Sequence, residues 1–319
     1  MYFNSAIRTQ ISSCPKLAYF KIPPLALVVY VFLSTFIHLR YLQLPIHAMS
    51  VIVFGPTGSV ASVVAQTAQE NGATVFLAMR DTQKPVPGLT AEQEKAGKYK
   101  RVQADLADPD SVAAAIKESG ARRAFFYRAH TTDNMRGTLT ALKDAGVEFV
   151  VFLSSYTIAG DPRDVEPSDL IPFIHAQKGI NDGAVDLYAP DFKFDCITPG
   201  DMGAVGGKIL VNGPRNGQRK VYLYGPQVLG QAEAILAIGK VLGKTVKIGA
   251  LSEQEALDEY VQTGIPKPLA EYLVKKSGAA NEAGGRAHYE EGVQNVQLYT
   301  GMPSQSLEEW VAESKARFA

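Results

Sequence analysis

Ser50-Val51-Ile52-Val53-Phe54-Gly55-Pro56-Thr57-Gly58-Ser59-Val60-Ala61 is the stretch that decides the fold. Val51, Ile52, Val53 and Phe54 read as a buried parallel strand. A glycine turn follows at once, and 59–69 is compatible with a helix. Strand, glycine turn and helix, in that order, can hold a pyrophosphate. Gly55 lets the backbone turn sharply, and Thr57 sits within the turn. Gly58 lets the chain approach phosphates with no Cβ in the way. Ser59 and Val60 open a helix whose first turn offers unpaired N–H groups and a positive dipole end. The spacing is Gly-x-x-Gly-x-x-Ala, not Gly-x-Gly-x-x-Gly, so the flanking strand and helix give the turn its meaning. A tight strand–helix turn without a ligand is the competing reading.

Outward from this stretch, short apolar runs alternate with helical patterns. Strands are expected at 74–79, 101–104, 123–127, 149–153 and 194–198. Helices are expected at 108–119, capped by Asp108 or Asp110, at 132–145, closed by Gly146, and at 170–187. Continuous apolar strands separated by helices imply a parallel sheet covered on both faces. Beyond Pro199-Gly200 the rhythm changes. A loop at 212–218 precedes short strands at 221–224 and 246–248. Helices are expected at 229–242, 253–262, 267–276 and 307–318. The expected fold is α/β: a doubly wound parallel sheet of Rossmann type over 49–200, with a smaller, mostly helical cap over 201–319. A crevice between cap and sheet is where such folds bind substrate.

The chain has 319 residues, 46% of them hydrophobic and 20% charged. Lys+Arg and Asp+Glu are both 32, so there is no global basic field to attract nucleic acid. Cys14 and Cys196 lie too far apart in sequence to suggest a disulfide framework or a metal site. This fits a reducing, cytoplasmic setting, as does the absence of any Asn-x-Ser/Thr sequon. Residues 1–48 differ from the rest. No Asp or Glu precedes Glu70, and 22–39 is an apolar run interrupted by Pro23, Pro24 and His38. Its length is near the minimum of about 17 residues for a membrane span. Four readings stay open: a membrane anchor, a targeting segment, an extension upstream of a natural start at Met49, or a helix packed on the domain. Contact with a membrane is expected only under the first. Arg8, Lys16 and Lys21 in front of the run would keep the N-terminus cytoplasmic and put the folded domain across the membrane. That is awkward for a cofactor-binding domain.

The end of the second strand should meet the adenosine ribose of a dinucleotide. Arg80 stands there and suits the 2′-phosphate of NADP through charge-assisted hydrogen bonds, with Lys84 as added charge. Asp81 keeps NAD open. Asp105, followed by Leu106, ends the third strand, where a carboxylate can accept from the adenine amino group. Each of these also has a bland reading, as a solvated strand end or a turn residue.

Gly55-Pro56-Thr57-Gly58, Arg80, Asp105-Leu106, Ser154-Ser155, Lys178 and Pro199-Gly200 follow one another as in the NmrA-like, atypical short-chain dehydrogenase/reductases. The tail agrees: Leu223-Tyr224-Gly225-Pro226, 239–244, Tyr299-Thr300-Gly301-Met302-Pro303 and Ser306-Leu307-Glu308-Glu309-Trp310. The chain resembles that family over about 50–318. The resemblance implies an NAD(P)-binding fold and adds Ser154, Lys178 and Pro199 to the expected cofactor contacts. The wider superfamily uses Tyr-x-x-x-Lys, in which a phenol acts as acid beside an ammonium. Here Ile174 stands four residues before Lys178, so that phenol is missing. Tyr156 could supply a displaced hydroxyl. His175 lies three residues before Lys178, so on a helix the two share a face. The expected catalytic set is therefore Lys178, His175 and Tyr156, with no metal. The resemblance implies two functions. One is an NADPH-dependent reductase of a small electrophile such as a quinone or conjugated carbonyl. The other is a non-catalytic NAD(P) sensor that regulates a protein partner in transcription. NADP(H) is the preferred cofactor, with NAD(H) still open.

Overall fold

The computed structural model describes residues 49–129, 131–154, 176–263, 265, 267–279 and 288–315. Residues Met49–Ala319 form one compact unit. The leader 1–48 lies outside the described residues. Among the described residues no helix is long and apolar enough to cross a membrane.

The chain builds a five-stranded parallel sheet from β1 (Ser50–Phe54), β2 (Thr74–Met79), β3 (Tyr99–Gln103), β4 (Arg123–Tyr127) and β5 (Phe149–Leu153). The strand order is β3-β2-β1-β4-β5. The order reverses at β1, so a switch point lies between β1 and β4. Alternate residues of each strand feed opposite cores. Ile52, Phe54, Phe76, Ala78, Ala124 and Phe126 face one layer, with residues of α3 (Pro109–Ser119) and α4 (Arg136–Asp144). Val51, Val53, Val75, Leu77 and Phe125 face the other, with Ala61, Val64, Ala65 and Ala68 of α1 (Ser59–Glu70) and with Leu210. Both faces are covered over β1, β2 and β4, which is why these strands read as unbroken apolar runs, whereas Val150 and Phe152 of β5 are exposed.

Leu210 belongs to a helix that the sequence pattern does not announce, α6 (Pro199–Asn212). Four glycines in 199–207 read as a helix breaker. The structure uses three of them to bring α6 against α1. A Cβ at Gly203 would fall 2.4 Å from Val63 Cβ and 2.8 Å from the Val60 carbonyl. One at Gly207 would fall 2.6 Å from Thr67 Cβ, and one at Gly206 3.1 Å from Val64 Cγ2. Gly203 meets the start of α1 and Gly207 its later turns, so the two helices run parallel. Arg123 secures the far end of α6 by donating 3.0 Å hydrogen bonds to the carbonyls of Leu210 and Val211. Lys208 reaches the Asn71 side chain at 2.8 Å.

The remainder forms a second core around α5 (Ala176–Asp182), β6 (Ala184–Leu187), β7 (Lys193–Phe194), β8 (Leu229–Gly230), α7 (Gln231–Leu242), β9 (Lys247–Ala250) and α11 (Leu307–Glu313). β6 pairs in parallel with β9, and β7 antiparallel with β8. A short α2 (Ala91–Ala96) precedes β3. The helices α8 (Glu253–Gln262), α9 (Lys267–Ala279) and α10 (Tyr289–Thr300) complete the tail.

Several expectations are corrected. The strand at 194–198 stops at Phe194 and does not join the main sheet. Cys196 has φ of 53°, and the Asp195 carboxylate accepts from the Ile197 N–H at 3.1 Å, which bends the chain. Residues 221–224 form no strand; the Tyr222 carbonyl is held instead by the Asn295 side chain at 3.0 Å. The helix over 170–187 is described only from Ala176 and ends at Asp182. Gly183 then turns with φ of 80°, and β6 follows. The helix expected from 132 begins at Arg136. Asp133 accepts from the N–H groups of Met135 and Gly137 and holds a turn first, which lowers its carboxyl below the usual range. The 229–242 helix begins at Gln231. β3 starts at Tyr99 rather than Arg101. α2 and α10 are additions to the expected elements.

The glycine contact between α1 and α6 yields a prediction. Gly207→Ala overpacks it and should destabilise the chain by about 2 kcal/mol. Gly200→Ala on the same helix has its nearest neighbour at 3.5 Å. It should leave the urea midpoint unchanged or higher. Equal midpoints for the two variants would count against a close-packed seam.

Candidate functional site

The strand register brings the expected site residues to one edge. Phe54 pairs with Ala78, Met79 with Gln103, Val53 with Phe125, and Tyr127 with Leu153. One step further on, Gly55, Arg80 and Ser154 stand at the carboxyl ends of β1, β2 and β5, with Asp105 just beyond β3. Ser154 is exposed. The parallel seam between α1 and α6 adds the N-terminal ends of both helices to this edge. Thr57, Gly58, Ser59 and Val60 thus lie on the same side of the sheet as Thr198 and Pro199.

Gly55 has φ of 65°, its N–H donates to the Ala78 carbonyl at 2.9 Å, and its carbonyl accepts from Gly58 at 2.9 Å. A Cβ on Gly55 would also meet the Tyr127 ring at 2.5 Å. Gly58 differs. Its φ is −82°, and a Cβ there would meet only the Gly55 carbonyl, at 3.4 Å. Nothing within the described fold demands a glycine at this position; the space above it is open. Helices α2, α3, α6, α8 and α11 each start on a Thr, Asp or Ser side chain that accepts a first-turn N–H. α1 has no such cap and no acidic residue in its first turn, so its leading N–H groups remain available to an anion.

At the end of β2, Arg80 is exposed and has no partner among the described residues. Asp81 is committed locally, since its carboxylate accepts from the Gln83 N–H at 2.9 Å. Arg101 on β3 ties down the loop that leaves β2. Its Nε and Nη2 donate to the two Glu94 carboxylate oxygens, the latter at 2.8 Å. Its Nη1 donates to the carbonyls of Thr82 and Lys84. The guanidinium holds the Glu94 carboxyl below the usual range, and Glu94 raises Arg101 in return. Asp105 accepts from the Ala107 N–H at 3.0 Å through one carboxylate oxygen. The Leu106 side chain is buried in the core and its carbonyl accepts from Thr138 at 2.7 Å.

Of the expected catalytic residues, Tyr156 and His175 lie outside the described residues. Lys178 is on α5, but its side chain lies outside the description. Two residues, Tyr127 at the edge and Arg101 within β3, escape a reading of the sequence. Tyr127, 40% exposed at the end of β4, packs its phenol against Gly55. Arg101 reads as an ordinary strand residue. A basic residue inside a strand, seven positions after an acid, carries no sequence signal.

The tail motifs are structural ties. Asp201, in the first turn of α6, accepts from Ser304 Oγ and the Gln305 N–H, both at 2.9 Å; burial pushes its carboxyl up. The Tyr299 hydroxyl accepts from the Arg215 N–H at 2.9 Å and donates to Gln218 at 3.0 Å. Ser306 and Glu309 form a capping box at the start of α11. The Gly225 backbone packs directly on 195–197.

A doubly wound parallel sheet with an uncapped glycine turn at its switch point defines a Rossmann-type fold. Residues 48–179 match the NmrA-like family. The nitrogen metabolite regulation-like protein bik4 of Gibberella fujikuroi is 33% identical over 321 residues, covering 85% of this chain and 98% of that protein. The NAD(P)H azoreductase of Xenophilus azovorans is 25% identical over 298 residues, covering 84% of this chain and 99% of the enzyme. The NADPH-dependent quinone oxidoreductase of Escherichia coli, in complex with NADPH, superposes with a TM-score of 0.61 at 20% identity. That match covers 84% of this chain and all of the other. The chain belongs to the NmrA-like family and shares its fold with an NADPH-dependent reductase.

The two turn glycines should separate in stability. Gly55→Ala meets both a positive φ and the Tyr127 ring, and should cost about 1–3 kcal/mol in chemical denaturation. Gly58→Ala should stay within about 0.5 kcal/mol of the parent. Matching losses would refute the distinction.

Proposed function

We propose that the chain is an NADPH-dependent reductase of a small electrophile, such as a quinone or a conjugated carbonyl. The observation that carries this reading is the carboxyl edge at the switch point. An open Gly58, an uncapped α1 and an unpartnered Arg80 stand there on adjacent elements. The first turn of α1, with Gly55, Thr57, Gly58, Ser59 and Val60, would receive a pyrophosphate. Arg80 would pair with a ribose 2′-phosphate, which favours NADP over NAD. Asp105 keeps one carboxylate oxygen for an adenine amino group. The buried Leu106 side chain limits that residue to a backbone contact. Ser154, Lys178 and Pro199 would serve the nicotinamide half of the cofactor. When bound, NADPH supplies the hydride. The acid would come from Lys178, His175 or Tyr156, or from water. A quinone needs less acid catalysis than an alcohol oxidation, so the absence of a phenol at Ile174 is compatible with this chemistry. Of the expected cap, 201–212 belongs to α6 on the sheet; the tail beyond α6 would form the substrate side of the crevice, and the cofactor supply suits a cytoplasmic setting.

The second reading, an NAD(P) sensor acting through a protein partner, is favoured by the 33% identity to a protein named for nitrogen metabolite regulation. The missing phenol fits it as well. Full-length chain titrated with NADPH and then offered a panel of quinones separates the two. Oxidation of NADPH supports the reductase; tight binding without turnover by any acceptor leaves the sensor. Binding of neither nucleotide sinks both. Arg80→Ala should weaken NADPH binding by about tenfold, the loss of one charge-assisted contact, and leave NADH nearly unchanged. Equal losses would remove Arg80 from the 2′-phosphate. Gly58→Ala should weaken both nucleotides while preserving the fold.

A further inference from the structure

We infer that Arg101 is a positioning residue that sets nucleotide selectivity by holding the Arg80–Lys84 loop in its binding shape; this rests on the reading of Arg80 given above. Arg80 and Lys84 are exposed at the two ends of this loop, and neither side chain has a partner among the described residues. Their spacing therefore depends on the backbone between them. That backbone is closed by the Asp81–Gln83 hydrogen bond and by the Lys84 N–H on the Asp81 carbonyl at 3.3 Å. Arg101 then joins the loop to β3 by donating to the carbonyls of Thr82 and Lys84.

Glu94 completes the device. Its carboxylate takes the other side of the guanidinium in a two-point contact, which fixes the plane of the fork. It also neutralises Arg101, so that this cation does not compete with Arg80 for a phosphate. α2, which carries Glu94, buries none of its six residues. It starts on a capping box between Thr90 and Gln93, and apolar packing comes only from Leu89 and Tyr99 outside the helix. Among the described residues its side-chain hydrogen bonds to the rest of the fold are those of the Glu94–Arg101 pair, with side chains only 18% and 27% exposed.

Without the fork the loop gains conformational freedom, and a ligand that engages Arg80 must order it again. A ligand that does not engage Arg80 escapes that cost. Arg101 should therefore affect NADPH and spare NADH.

The test is calorimetric titration of the full chain with NADPH and with NADH. Arg101→Met should weaken NADPH by about tenfold and NADH by less than about twofold. Arg101→Lys should behave in the same way, because an ammonium has three N–H donors and no planar fork with which to reproduce the four contacts of the guanidinium. In an Arg80→Ala background, Arg101→Met should add no further loss for NADPH, since both act through one contact. If Arg101→Met does not fold, Glu94→Gln provides the same reading, with a smaller but still NADPH-selective loss. Equal weakening of both nucleotides, or additive losses in the double variant, overturns the inference. A parent chain that binds the two nucleotides equally overturns the Arg80 reading and this one together. A selective parent whose selectivity survives Arg101→Met and Arg101→Lys overturns this one alone.

Discussion

The fold depends on how closely α6 can approach α1. Gly203, Gly206 and Gly207 present a face with no side chains, and Val60, Val63, Val64 and Thr67 fill it. This contact fixes α1 in depth and direction over the sheet. α1 in turn fixes the glycine turn that precedes it. Through Asp201 the start of α6 also holds Ser304 and Gln305, so the C-terminal segment is referenced to the same seam. Arg123 closes the other end by capping the last carbonyls of α6 from β4. Sheet, site and tail therefore share one reference.

The carboxyl edge of the sheet shows two kinds of glycine. Gly55 is demanded by the protein itself, through its backbone angle and the Tyr127 ring. Gly58 is not: its φ is ordinary and a Cβ there would meet only the Gly55 carbonyl. Arg80 and Asp81 differ as well: one oxygen of the Asp81 carboxylate accepts from a local turn, while the neighbouring guanidinium has no partner among the described residues.

Much of this was legible in the sequence. β1, β2 and β4 stood out because strands buried on both faces are unbroken apolar runs; β5 is equally apolar in sequence although Val150 and Phe152 are exposed. Asp108 and Gly146 marked helix boundaries through their own chemistry. What stayed hidden was tertiary in origin. The glycines of α6 weaken a helix in isolation, and only the facing valines explain them. The turn at 131–135 was hidden because Asp133 binds backbone that a helix would otherwise use. The strand expected at 194–198 fails at Cys196, whose left-handed backbone no propensity announces. Gly55, Gly58 and Arg80 were visible because glycine and charge at a strand end are local signals. Arg101 and Tyr127 were not, because their roles exist only once β3 meets α2 and β4 meets β1.

The glycine seam also has a consequence for how the chain is made. α1 lies near residue 60 and its partner helix begins at Pro199, while Arg123 finds its carbonyl acceptor 87 residues downstream. During synthesis from the N-terminus, β1 must wait for β4 to gain its second neighbour. The valine face of α1 stays uncovered until α6 has emerged. A parallel sheet closed by such distant partners has high contact order and folds slowly. For that interval the nascent chain exposes the apolar stripe around its glycine turn, the kind of surface that chaperones hold.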